Sequence, residues 1–349
     1  MGGLTVRLSL LDCVSSRAAR HPSALRVFAR RRASTMLQCA MRPTLLLAAI
    51  AWLAVTTPCI AVADAIPAAP KPASSLQLRN YLVSHKADLE QFRSRGPFAA
   101  AMQPNRELSL SASERIAGDL FLSLGAGKAP LVIFIHGNGS SKEAHTRQAM
   151  HLASWGMHCL AVQMPGDGRW TSKGTTLARI VEFIHEHPQA IDAPIDVDKI
   201  VLVGHSYGAS SVAVALAEGA QATGAILLDP AGTGRELPKY LRQIGVPVMI
   251  LGADEEVFAA IRRDDFFHLI RAGVSEVSVR NATHADAQFP ARAATHSFGI
   301  ETNEDLQITF ASALTAAALS LAADRTFDYA WASFAGNIRD GTLINPRRK

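Results

Sequence analysis

Ile200-Val201-Leu202-Val203-Gly204-His205-Ser206-Tyr207-Gly208 is the stretch that decides the fold. Its first four residues are apolar and mostly β-branched, which reads as a buried strand. The strand runs directly into a Gly-x-Ser-x-Gly pentad and then into a small-residue helical pattern near Ser210 to Glu218. A serine between strand and helix must turn so sharply that flanking side chains would strike the neighbouring backbone. Glycine is therefore needed two positions before it and two after. Such a turn lifts the hydroxyl above the sheet at a helix N-terminus, whose dipole favours developing negative charge. Ser206 is the candidate nucleophile. His205, next to it, reads as packing beneath the turn.

Outward from the pentad, short apolar runs alternate with helix-length patterns. The runs are Leu131 to Ile135, Cys159 to Gln163, Ile200 to Val203, Ala225 to Leu228, Val246 to Leu251 and Glu276 to Arg280. Helices are predicted near Lys142 to Trp155, Thr175 to His187, Ser210 to Glu218, Glu236 to Ile244 and Glu256 to Ala272. Strands that are apolar throughout and joined by helices imply a mostly parallel sheet covered on both faces. Arg106 to Leu110 and Ile116 to Ser123 have no helix between them, as in an antiparallel hairpin at a sheet edge. Thr302 with Asp305 matches a capping box before the last long helix.

With these elements in place the chain resembles the α/β-hydrolase superfamily over nearly all of residues 105 to 322. The resemblance implies an α/β fold with a mostly parallel sheet of about eight strands and helices on both faces. A second motif lies where the superfamily carries its His-Gly loop: Leu131 to Ile135 ends in His136-Gly137-Asn138-Gly139. The resemblance makes the backbone N–H groups of Asn138 and Tyr207 the oxyanion hole, where losing one donor costs about 3 kcal/mol of transition-state stabilisation. His136 itself reads as a loop brace.

A serine hydroxyl is a weak nucleophile and needs a histidine base whose tautomer a carboxylate fixes. Among twelve histidines only His284, in Asn281-Ala282-Thr283-His284, sits just past the last short strand, where the family's histidine loop falls. His185 and His187, two apart at a helix end, read as surface rather than as a metal pair. The resemblance places the acid after Val246 to Leu251, in Gly252-Ala253-Asp254-Glu255-Glu256. Asp254 is the natural choice, with Glu255 and Glu256 as neighbours. Asp229, in Leu227-Leu228-Asp229-Pro230, is a candidate one strand earlier.

The connection Pro230 to Gly245 is too short for a cap domain. An open site of this kind is similar to the dienelactone hydrolase, chlorophyllase and polyester-hydrolase-like branch, although serine replaces the dienelactone hydrolases' cysteine. The long connection from Ala285 to Glu301 could shape the pocket through Phe289 and Phe298. The expected activity is a serine carboxylesterase acting on a small-molecule or polymeric ester through an acyl-enzyme. An amidase or peptidase shares the chemistry, and a silent binding module on the same fold usually lacks the serine or histidine. No phosphate loop, metal cluster or nucleic-acid motif competes, so no cofactor and no nucleic-acid partner is expected.

The 349 residues are 48% hydrophobic and 19% charged, as in globular proteins and unlike coiled coils or polytopic membrane proteins. The net charge of +5 does not indicate nucleic-acid binding, because residues 1 to 63 hold eight Arg and a single acid, Asp12, while the remainder is slightly acidic. Met41-Arg42, the apolar run Leu45 to Val55 and Ala61-Val62-Ala63 before Asp64 read as a signal peptide. The true start is then Met36 or Met41, and the membrane is met only during export to the periplasm or medium. Residues 64–104 read as linker and N-terminal helix, with Leu76 to Phe92 helical, and 105–349 as the hydrolase domain. Cys159 would be the only thiol of the mature chain.

Overall fold

The computed structural model of the protein describes residues 87–165, 169–255, 259–290 and 301–349. The expected signal peptide, the linker, most of the Leu76 helix, Glu256 and Phe298 lie outside these residues. Sixteen elements follow in chain order: β1 Ala99–Ser109, β2 Arg115–Leu124, β3 Ala129–Ile135, α1 Thr146–Ser154, β4 His158–Val162, α2 Trp170–Glu186, β5 Ile195–His205, α3 Tyr207–Ala217, β6 Gly224–Leu228, α4 Leu237–Leu241, β7 Val248–Ala253, α5 Arg263–Leu269, β8 Val274–Val279, α6 Glu304–Asp324, α7 Asp328–Asp340 and β9 Leu343–Arg348.

The fully apolar strands are apolar because both of their faces are covered. Along β3, Val132 and Phe134 join one hydrophobic cluster while Leu131, Ile133 and Ile135 join the other. β5 divides in the same way, with Val201 and Val203 against Ile200 and Leu202. The first cluster takes in α1, α6 and α7, and the second α2 to α5. Helix α6 is long and apolar enough to cross a membrane, yet 83% of its most apolar window is buried inside the protein. A helix apolar all round is a core helix in that setting.

The described strands form one nine-stranded sheet in the order β1-β2-β4-β3-β5-β6-β7-β8-β9. Strands β3 to β8 run parallel, and β1, β2 and β9 pair antiparallel at the edges. The chain goes from β3 to β4 on one side and then to β5 on the other. The order therefore reverses between β3 and β5, and a crevice opens beyond the carboxyl ends of those two strands. Ile135 and His205 end there, so topology alone brings the His-Gly loop and the serine turn together. The β6–β7 connection carries only the five-residue α4, so no cap stands there.

The described residues depart from these expectations in several places. The hairpin begins at Ala99, so residues 99–104 belong to the sheet. Helix α6 is capped by Asn303, whose side chain accepts from the Asp305 amide, and not by Thr302. Beyond α6 lie α7 and β9; β9 is polar and holds Pro346, which an edge strand tolerates because one side of it needs no ladder bonds. Of the first predicted helix, the described part is the short 3-10 turn Leu89–Arg93, capped by Asp88.

Candidate active site

Ser206 sits between β5 and α3 with φ 54° and ψ −125°, a conformation that non-glycine residues rarely take. Its N–H donates to Leu228 O at 3.1 Å, and its carbonyl accepts from the Ala209 and Ala231 amides. The flanking glycines are needed as the pentad implies. A Cβ on Gly204 would lie 2.6 Å from the Gly208 backbone, and one on Gly208 would collide with Ile135 O. Gly137 is close as well, though less tight: its Cβ would stand 3.0 Å from the Ser206 Cβ and 3.2 Å from His205 Nδ1. A side chain there would press the His-Gly loop and the serine turn apart by a few tenths of an ångström.

Tyr207 opens α3, so its N–H points out of the helix without an intrahelical acceptor. Asn138 and Tyr207 line one cavity of about 380 Å³, which Trp170, Lys173, Arg169 and Thr233 also line. Phe289 is not part of that lining. Its backbone N–H and C=O tie it to Ala144 and Arg147, and Arg147 stacks over its ring at 4.8 Å.

His284 opens a 3-10 turn after β8, and its Nδ1 lies 2.6 Å from Asp229 Oδ2. A carboxylate accepts, so Nδ1 is the donor of this bond, and in the neutral ring Nε2 is then the acceptor nitrogen. The acid beside the ring is thus Asp229, and the choice of Asp254 is corrected. Strand β6 lies next to β5 with His205 opposite Leu228 in register, so the residues that follow, Ser206 and Asp229, leave adjacent strand ends. Asp229 is buried, and its Oδ1 accepts from Ala253 N and Arg263 Nη1, each at 3.0 Å. Asp254 is exposed and accepts from Asn281 N at 2.9 Å, while its own amide and that of Glu255 donate to Ala282 O. Asp254 therefore braces the loop that delivers His284.

Three polar side chains, only partly foreseen, hold the rest in place. The buried His205 ring lies tilted against His284 with centroids 4.5 Å apart. Its Nε2 donates to the His284 carbonyl at 3.1 Å, and its Nδ1 accepts from Gln288 Nε2 at 2.9 Å. Burial, with His284 and His145 nearby, holds His205 well below the ordinary histidine range. It is a neutral brace for the histidine loop. His136 Nε2 accepts from the Met164 amide at 3.2 Å while its Nδ1 lies 2.9 Å from Gly137 O, so it braces its own loop. Further along that loop Lys142 reaches Asp119 at 2.7 and 2.8 Å, both side chains buried. Of the remaining histidines, His185 bonds Gln221 O and His187 tilts against Phe183. Gln288 and Arg263 carried no sequence signal, since a glutamine in a loop and an arginine in a helix are ordinarily solvated.

The sequence matches the Alpha/beta hydrolase family over residues 132–341. A comparison with curated proteins returned no match.

Proposed function

The chain belongs to the alpha/beta hydrolase family and is a hydrolase, and from that premise we propose that it is a serine carboxylesterase using Ser206, His284 and Asp229. The observation that carries the reading is the 2.6 Å bond between His284 Nδ1 and Asp229, on the rim where Ser206 occupies its strained turn. With the ring neutral, that bond puts the accepting lone pair on Nε2. In the proposed reaction Ser206 Oγ adds to the ester carbonyl carbon as its proton passes to His284 Nε2. The Asn138 and Tyr207 amides take the oxyanion. The C–O bond to the alcohol then breaks, the alcohol leaves with the proton from His284, and a water deprotonated by the same ring releases the acid from Ser206.

The open cavity and the short β6–β7 connection favour the capless branch named above as the nearest functional comparison. We also place the mature enzyme in the periplasm or medium, on the order of basic, apolar and small residues in 41–63. The test of the reaction is a fluorophosphonate probe with p-nitrophenyl esters of increasing chain length beside their anilides. Ser206 should be the labelled residue, esters should turn over faster than anilides, and Ser206→Ala should lose labelling and turnover by about 10⁶-fold. Labelling that survives Ser206→Ala would refute the assignment.

A further inference from the structure

Asp229 faces His284 with one oxygen; the other begins a line of paired charges that leads from the buried site toward the surface. Arg263 Nη1 donates to Asp229 Oδ1 at 3.0 Å, and Arg263 Nε lies 3.2 Å from Glu276 Oε1. Glu276 Oε2 accepts from Arg347 Nε at 2.9 Å and Nη2 at 2.8 Å, and Arg347 Nη1 ends on Asp264 at 2.7 Å. Arg263 is 8% and Glu276 1% exposed. Charges this deep are tolerated only when paired. The passage for Arg263 is built into the sheet: a Cβ on Gly252, inside β7, would lie 2.7 Å from the Arg263 Cδ and Cζ. A glycine within a strand marks close approach by another group, and here that group is the guanidinium.

We propose that Arg263 is a positioning residue for the Asp229–His284 pair, and that Arg347 on the C-terminal strand β9 holds the outer end of the same line. The inference rests on the assignment of Ser206, His284 and Asp229 above. Two donors on Oδ1, the Ala253 amide and Arg263, fix the carboxylate's rotation. Oδ2 is thereby aimed at Nδ1 before substrate arrives, which is the kind of orientation a short contact requires. Glu276 sets where the guanidinium fork sits, and Arg347 sets Glu276. The C-terminal strand, far from the serine in sequence, is on this view part of the apparatus that orients the histidine.

The test compares wild type, Arg263→Ala and Arg347→Met by fluorophosphonate labelling rate, by kcat and KM on a p-nitrophenyl ester, and by the low-field proton NMR signal of the His284 Nδ1–H. For folded Arg263→Ala we expect kcat and labelling rate to fall about tenfold to a hundredfold at unchanged KM, with the low-field signal moved or lost to exchange. A cavity of about 500 Å³ lined by Arg262, Asp264, Glu276 and Arg347 opens beside Arg263, so millimolar methylguanidinium should restore part of the rate. Arg347 is partly exposed, and Arg347→Met, which keeps Arg263 itself, should lose several-fold in kcat with the same signal shifted. It decides the question if Arg263→Ala does not fold. Unchanged kcat and an unchanged signal in the folded variant would make the line a clamp of the fold alone and overturn the inference. If wild type is not labelled at Ser206 at all, the assignment of the site fails first, and the inference falls with it.

Discussion

Replacing Asp229 by Asn tests the corrected acid, and the structure fixes how the amide would sit. Oδ1 of Asp229 accepts from two donors, Ala253 N and Arg263 Nη1, both at 3.0 Å. The asparagine oxygen must stay on that side, because turning the amide over would set its NH₂ against both donors. Turning costs a charged and a neutral hydrogen bond, roughly 3 kcal/mol in all. The NH₂ therefore faces His284 Nδ1 as a donor and forces the ring into the Nε2–H tautomer, which cannot take a proton from serine. Holding the productive tautomer below about 1% accounts for roughly a hundredfold. Losing the negative charge that stabilises the imidazolium accounts for the rest of the expected loss of about 10⁴-fold in kcat, with KM little changed. Asp254→Asn should stay within about threefold, since an amide oxygen can still accept from Asn281 N. The assay is kcat and KM on a p-nitrophenyl ester with circular dichroism on each variant. A folded, active Asp229→Asn beside an inactive, folded Asp254→Asn would give the role of the acid to Asp254 instead.

Two other outcomes are expected. Burial pushes His145 and His158 down to about 4, below their ordinary 6.5, so the unfolded chain binds those protons more tightly; their stabilisation is complete above pH 6.5 and is lost as pH falls toward 4, about 2 kcal/mol apiece between pH 8 and pH 5. Urea unfolding at the two pH values reads this, and a midpoint no lower at pH 5 would contradict it. Protein purified from its native host should begin at or within a residue or two of Asp64 by N-terminal sequencing, whereas retention of residues 42–60 would show an anchor instead.

Most of the sheet was legible because its physics is local. Strands β3, β4, β6 and β7 are mostly apolar runs, as is the second half of β5, and α1 and α2 place their buried residues at helical spacing, so periodicity and length identify them. The serine turn was legible for a sharper reason: backbone approaches exclude a side chain at Gly204 and Gly208, and each exclusion leaves a glycine in the sequence. The acid was not legible, since the choice among Asp229, Asp254 and Glu255 depends on which loop the His284 ring leans over, and no local residue records that. Gly252 misled for a related reason. It reads as the start of an acid loop, but its missing side chain makes room for Arg263. Strand β9 escaped because an edge strand facing solvent can be polar and contain proline, which removes both periodicity and apolar content.

The conformations of Ser206 and Asp229 belong to one arrangement. Asp229 takes φ 36°, also in the left-handed region, immediately before Pro230. Two non-glycine residues at neighbouring strand ends are thus held in sparsely populated backbone states, at a cost of order 1–3 kcal/mol each. Such states persist only where surrounding bonds over-determine them. The Ser206 amide is tied to Leu228 O, the Asp229 amide to Leu251 O at 2.8 Å, and the Asp229 carboxylate to three donors. Each strained residue is therefore anchored to the next strand across, β5 to β6 and β6 to β7. The hydroxyl and the carboxylate are in this way fixed relative to the sheet. The His284 loop, held by Asp254, His205 and Gln288, then supplies the one ring that must reach from β8 back to β6.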